Sequence, residues 1–179
     1  MRFIFLILIL TCAVLFSAEG RAYTEEEKSA ATTEWPLARL SLALGPGGFY
    51  SSSSNSAALL FEADASFRIY KRLRLGLMFN GKAHPWNDNT SFFGTSGALV
   101  ECDIWRGLFA DVAAGPAWNL LKSGSFQESA YGWGVLTQFG WRYSPLPHFT
   151  LEARAHFGLR DVRGLYLDYG LLLGPGLYF

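Results

Sequence analysis

The chain has 179 residues, of which 50% are apolar, 16% aromatic and only 17% charged. The length suits one domain, and the apolar content excludes a disordered chain. Fifteen Lys+Arg balance 15 Asp+Glu with no basic stretch, which argues against nucleic acid as a partner.

Residues 1–22 read as a secretory signal peptide: Arg2 is the positive start, Phe3 to Phe16 is an apolar run broken by Thr11, and Gly20-Arg21-Ala22 offers small residues for cleavage, with Ala18 a second candidate. The run is short for a membrane-spanning helix, which needs about 20 apolar residues. Cys12 falls inside it, and Thr11 before that cysteine fits a lipoprotein poorly. Its removal leaves one cysteine, Cys102, which excludes an intramolecular disulfide and reads as a small apolar strand residue. Residues 23–35 are polar and acidic and read as a flexible periplasmic lead-in.

From residue 36 to 179 the pattern is period-2 alternation in eight runs, with no sustained helical period. The first, 36–46, sets Leu40, Leu42 and Leu44 against Arg39, Ser41 and Gly45. The second, 57–70, sets Phe61, Ala63, Ala65, Phe67 and Ile69 against Glu62, Asp64, Ser66 and Arg68. The third, 73–80, sets Leu73, Leu75, Leu77 and Phe79 against Arg74, Gly76, Met78 and Asn80. The fourth, 92–105, carries Glu101 and Asp103 opposite Val100, Cys102 and Ile104; the fifth, 108–118, carries Asp111 opposite Ala110 and Val112. The sixth, 131–143, sets Trp133, Val135, Phe139, Trp141 and Tyr143 against glycines, Gln138 and Arg142. The seventh, 149–160, sets Leu151, Ala153, Ala155, Phe157 and Leu159 against Glu152, Arg154, His156 and Arg160. The eighth, 165–179, carries Asp168, Gly170 and Gly174 opposite Tyr169, Leu171, Leu173, Leu177 and Phe179. Every Asp, Glu and Arg within these runs lies on the second face.

The connections alternate in length. Those at 47–56, 81–91 and 119–130 are long, while Lys71-Arg72, Arg106-Gly107 and Ser144–Pro147 are tight and Asp161–Gly164 is short. An all-β, eight-stranded, antiparallel up-and-down barrel with one tight and one looped end fits a transmembrane β-barrel. A soluble lipocalin-like barrel would also alternate, with the apolar face inside. Three features favour the membrane. The charged face is rich in glycine (Gly76, Gly97, Gly115, Gly132, Gly134, Gly140, Gly170), which suits a narrow lumen beside long side chains. Trp35, Trp105, Trp118, Trp133, Trp141, Tyr143, Tyr166 and Tyr178 gather near strand ends, where amphipathic rings favour the headgroup level. The last residue is Phe179, with alternating apolar residues behind it.

That final stretch, YLDYGLLLGPGLYF, resembles the C-terminal signal of bacterial outer-membrane proteins, and 36–179 as a whole resembles the small barrels of the OmpA transmembrane-domain, OmpX and OmpW type. The resemblance rests on pattern; Pro175 departs from it, at an outward position where a lost ladder bond is tolerable. It implies location in the outer membrane of a Gram-negative-type bacterium, with lipid and lipopolysaccharide around the wall. It also implies recognition of Tyr169, Leu171, Leu173, Leu177 and Phe179 by the barrel-assembly machinery.

The inward charges are seven acids (Glu62, Asp64, Glu101, Asp103, Asp111, Glu152, Asp168) and six arginines (Arg39, Arg68, Arg74, Arg142, Arg154, Arg160). Buried charges must be paired, so the expectation is an ion-pair network filling the lumen, His156 included, with Asp111 serving Arg74 or Arg142. A narrow polar pore lined by the same groups is the competing reading. His156-Phe157-Gly158-Leu159 keeps the His of the PagL-type lipid A deacylase but lacks its Ser and Asn. His84, Asp88 and Ser91 share one segment without reproducing the order of a PagP-type palmitoyltransferase. No catalytic, cofactor or metal residue is therefore assigned. Within 81–91, His84, Trp86 and Asp88 are candidate contacts for an extracellular ligand, set against a plain polar turn; Asp88 with Asn87 and Asn89 meets no known calcium spacing. The functional expectation is a non-enzymatic barrel serving envelope integrity or surface interaction, without an OmpA-like soluble anchor. A narrow channel for small or hydrophobic solutes comes second and a lipid A-modifying enzyme third.

Overall fold

A computed structural model describes residues 37–51, 54–86, 89–123 and 126–179. The expected signal peptide and lead-in lie outside the described residues. Eight strands follow one another: β1 (Ala38–Ser51), β2 (Ser54–Tyr70), β3 (Leu73–Trp86), β4 (Asn89–Trp105), β5 (Leu108–Ser123), β6 (Phe126–Leu146), β7 (Phe149–Asp161) and β8 (Leu165–Tyr178). Each pairs antiparallel with its chain neighbours, and β8 returns to β1 to close the barrel.

The alternation dictates this closure. Leu40, Leu42, Leu44, Leu77, Phe157, Leu171 and Leu173 are exposed on the outer wall, whereas Arg39, Ser41, Glu62, Asp64 and Arg154 are buried. A sheet with one polar face can hide that face from a membrane only by curling it inward, and closure also removes both sheet edges. Phe61, Phe79, Phe92 and Trp118 stack with ring centroids 5.0–6.0 Å apart.

The strands are longer than the alternation indicates. The stretches 47–56, 81–91 and 119–130 are not long loops: Gly47 to Ser51 pairs with Ser54 to Ala58, and Gly81 to Trp86 pairs with Asn89 to Gly94. Asn119 to Ser123 likewise pairs with Phe126 to Ala130. Backbone N–H and C=O groups seek partners whatever side chains they carry. Pairing therefore continues where outward residues become polar and the period-2 signal fades. A membrane crossing needs about 9–11 residues per strand, and β6 has 21, so the wall rises well beyond one.

The opposite end is tight. The two-residue turn Arg106-Gly107 has φ of 42° and 88°, the left-handed pair that fits a two-residue hairpin. A Cβ on Gly107 would also lie 2.3 Å from the Arg142 carbonyl oxygen. The Ser144–Pro147 connection is tighter than expected, since β6 runs to Leu146 and only Pro147-His148 turns. Register shifts fall just before three turns of this end, at Arg68/Tyr70, Asp103/Trp105 and Tyr143/Leu146.

Two aromatic assignments are corrected. Tyr166 and Tyr178 do not join an outer girdle, because they share the parity of Asp168 and so face inward; Tyr178 is buried. Trp105, Trp133, Trp141 and Tyr143 are exposed on the outer wall as expected.

Some lumen glycines do more than leave room for long side chains. A Cβ on Gly174 would sit 1.7 Å from the Leu42 carbonyl oxygen, a contact with the backbone of β1 rather than with lumen side chains. The tight bend of a narrow barrel needs that approach.

Pairing of β1 with β8 is less continuous than the other ladders. Arg39–Ser41 meets Gly176–Tyr178, Leu44 meets Leu173, and Gly47–Ser51 meets Tyr166–Gly170. Pro46 and Pro175 stand on the two strands of this junction.

Candidate functional site

The lumen is the site the fold builds. Parity sends charged residues of all eight strands into one narrow space, and the barrel's curvature brings together groups far apart in sequence. Arg39 from β1 donates to Asp64 at 2.9 and 3.1 Å, to Glu152 at 3.3 Å and to Ser41 at 3.2 Å, and it also pairs with Glu101. Arg154 from β7 donates to Asp64 at 2.8 Å and bonds Glu62, Glu152 and Ser41. Arg142 from β6 donates to Glu101 at 3.1 Å, Asp103 at 2.7 Å and Glu152 at 3.0 Å. Arg74 lies 3.8 Å from both Glu101 and Asp103. Asp64, Glu101, Asp103 and Glu152 of this lower cluster thus each serve two or more arginines, and bidentate guanidinium geometry makes such sharing possible.

Aromatic rings complete the packing. The Phe109 ring lies under Arg142, Arg154 and Arg39, at 4.3, 5.7 and 5.9 Å to its centroid. Tyr178 lies under Arg74 and Arg142 at 5.0 and 5.8 Å. Cations over ring faces gain electrostatic attraction without needing an acid.

A second cluster lies higher and centres on Asp168 of β8. Lys82 at 2.5 Å, Arg160 at 2.9 Å and His156 at 3.5 Å all meet its Oδ2 atom. Asn80 joins the clusters, donating to Glu62 at 3.2 Å while its oxygen accepts from Arg160 at 2.6 Å. Gln138 bonds Glu62 and sits 3.3 Å from His156. Above lies a lid of Phe49, Phe93 and Tyr166, with centroids 5.4–6.4 Å apart. On one side the inward residues Met78, Leu99, Ala113 and Leu136 form an apolar cluster.

Lys82 escaped the sequence reading because 81–91 read as a loop. Extending the parity of Arg74, Met78 and Asn80 by one step finds it. It brings the inward cations to seven (Arg39, Arg68, Arg74, Lys82, Arg142, Arg154, Arg160), equal to the seven inward acids. Arg68 is half-buried opposite Arg74 at the tight-turn end.

The expectation for Asp111 is corrected. It is buried inside, but among the described residues it makes no ion pair, and its Oδ1 atom has no hydrogen-bond partner. Register explains this: it stands beside Glu101 on β4 and Gln138 on β6, while Arg142 is committed to Glu101, Asp103 and Glu152.

His156 is fully buried between Gln138 and Asp168, and no serine or threonine hydroxyl bonds to it among the described residues. These contacts place His156 within the lumen's hydrogen-bond network. Of the candidate ligand contacts, β3 runs through His84 and Trp86 to its end, but their side chains and the whole of Asp88 lie outside the described residues. The expected assembly residues Tyr169, Leu171, Leu173, Leu177 and Phe179 are all exposed on the outer face. Phe179 exchanges backbone bonds of 3.0 and 3.1 Å with Ala38, closing the ring at the tight-turn end.

No protein-family model matches the chain, and no curated protein matches it. Solved structures do. The fold is similar to Neisserial surface protein A (NspA), with a TM-score of 0.64 and 15% identity over 79% of this chain and 97% of that one. It is similar to Ail, the attachment invasion locus protein of Yersinia pestis, with a TM-score of 0.58 and 14% identity over 80% of this chain and 99% of that one. Ail in complex with the heparin analogue sucrose octasulfate gives a TM-score of 0.60 at 13% identity, over 80% of this chain and 99% of that one. These are eight-stranded outer-membrane β-barrels, and the fold of this chain is theirs.

Proposed function

We propose that the protein is a non-enzymatic outer-membrane barrel that acts through its surface, supporting envelope integrity or contact with an extracellular ligand at the raised hairpins of β1–β2, β3–β4 and β5–β6. The observation that carries this reading is the filled lumen. Arg39, Arg142 and Arg154 share Asp64, Glu101 and Glu152 across its lower half, and Phe49, Phe93 and Tyr166 cover the upper half. An eight-stranded barrel is just wide enough for side chains to fill, and this filling favours a plugged lumen over the channel reading. In this proposal lipid and lipopolysaccharide surround the wall, and the barrel-assembly machinery inserts it.

Two measurements test it. In cells the mature chain should fractionate with the outer membrane and migrate differently on unboiled gels, as closed barrels do. Recovery from the soluble periplasmic fraction would favour the lipocalin-like reading instead. In planar bilayers the refolded protein should give no conductance steps above baseline. Reproducible unitary steps would move the assignment to a narrow channel.

A further inference from the structure

We propose that the turn joining β7 to β8 is a latch over the raised end of the lumen, with Val162 as its bolt, and that opening it uncovers Arg160 of the upper cluster. The inference goes beyond the surface role above and stands apart from it.

The turn, Val162-Arg163-Gly164, lies beside an unequal wall. β7 stops at Asp161, opposite Trp133 of β6. Residues 126–132 of β6 therefore rise with β5 on one side and, among the described residues, no paired strand on the other. A turn at this height would ordinarily stand in solvent. This one folds inward. Val162 is 1% exposed and packs on Ala117 and Ala130, inward residues of β5 and β6. The two alanines are short enough to leave the pocket that the valine fills. Gly132 clears the entry: a Cβ there would collide with the Asp161 carbonyl oxygen and stand 3.1 Å from the Val162 Cα.

Two further features hold the turn in this shape. Arg163 pairs with Glu128 of β6 at the surface. Arg163 and Gly164 have φ of 54° and 141°, and the Val162 N–H donates to the Gly164 carbonyl at 3.1 Å. A left-handed arginine persists only where its surroundings over-determine it. Here a buried valine precedes it and an ion pair ties its side chain.

One inward step down β7, Arg160 meets Asp168 at 2.9 Å. Its Nε and Nη1 atoms have no hydrogen-bond partner among the described residues. Withdrawal of Val162 would open a way to these donors. The latch is weaker than the barrel beneath it. One small apolar side chain and one exposed pair hold it, and exposed pairs contribute little, so it can open while the ladders stay closed.

Trypsin reads the latch on the refolded barrel. Cutting after Arg163 needs several residues drawn out in extended form, which takes Val162 from its pocket. Where reclosing is faster than cutting, the rate follows the open population. The parent should be cut slowly at Arg163. Val162→Ala removes two buried methyl groups and should be cut there roughly tenfold faster. Glu128→Gln should accelerate the same cut about twofold. Gly132→Ala pushes the turn outward and should act in the same direction. The Arg106-Gly107 bond at the other end is the internal reference, and its rate should stay unchanged in every variant. Equal rates at Arg163 in the parent and Val162→Ala would overturn the latch. So would a parent cut at Arg163 as fast as the same bond in the unfolded chain. If Val162→Ala or Gly132→Ala loosens the whole barrel, so that Arg106 is also cut faster, Glu128→Gln decides, because it alters only the surface pair. No acceleration at Arg163 in that variant then rejects the latch.

Discussion

Replacing Arg154 with leucine should lower the unfolding free energy of the refolded barrel by roughly 3–5 kcal/mol, the usual cost of breaking a buried ion pair by removing one partner. Arg154 is buried, meets Glu62, Asp64 and Glu152, bonds Ser41, and lies over Phe109. Leucine would fill part of the volume but return none of the donors, leaving three carboxylates to Arg39, Arg142 and the polar neighbours. Arg154→Lys should recover part of the loss, because it restores the charge without the planar fork. Asp111→Asn is the contrasting case. Asp111 has no ion pair among the described residues and stands across from Glu101, so neutralising it removes a repulsion and should be neutral or stabilising. Urea titration followed by the gel shift of folded against unfolded barrel gives all three values. An Arg154→Leu barrel as stable as the parent would mean that water, rather than packed ion pairs, occupies the lumen.

Leu77→Arg should cost about 2–4 kcal/mol in a bilayer, the penalty for arginine at the midplane of a barrel wall. Leu77 is 70% exposed on the outer face and lies four residues above the start of β3, near the middle of a crossing of about 9–11 residues. Leu146→Arg, exposed at the end of β6, should cost only about 0–1 kcal/mol, because the penalty fades toward the interface. Thinning the bilayer should shrink the Leu77 effect and leave the Arg154 effect unchanged, since one residue faces lipid and the other faces protein. Leu77→Arg without effect in thick and thin bilayers alike would place that face in water and reverse the membrane assignment.

Parity was the legible part. Because strand side chains alternate strictly, Arg39, Glu62, Asp64, Arg142 and Glu152 could be placed inside from sequence alone, and they are buried there. Strand length was less legible. Period-2 contrast needs apolar residues on one face, so it faded at 47–56, 81–91 and 119–130, where outward residues are polar, and hid Lys82. Pairing within the lumen was not legible at all. Arg39 meets Glu101, 62 residues away, and Arg154 meets Glu62, 92 residues away. Such partners are set by closure and tilt of the whole ring, which no local window contains. Asp111 shows the consequence: balance of the total charge does not ensure a partner for each group.

The junction of β1 and β8 gives the cylinder a mechanical grain. Its neighbouring ladders are nearly continuous, whereas here paired segments are separated by gaps, and Pro46 and Pro175 each lack an N–H to offer across it. A tube under tension fails where the fewest bonds must break at once. Pulled apart sideways, this one should unzip along that line and open into a curved sheet whose two margins are β1 and β8. The two margins come from opposite ends of the barrel sequence, so every other hairpin would remain intact.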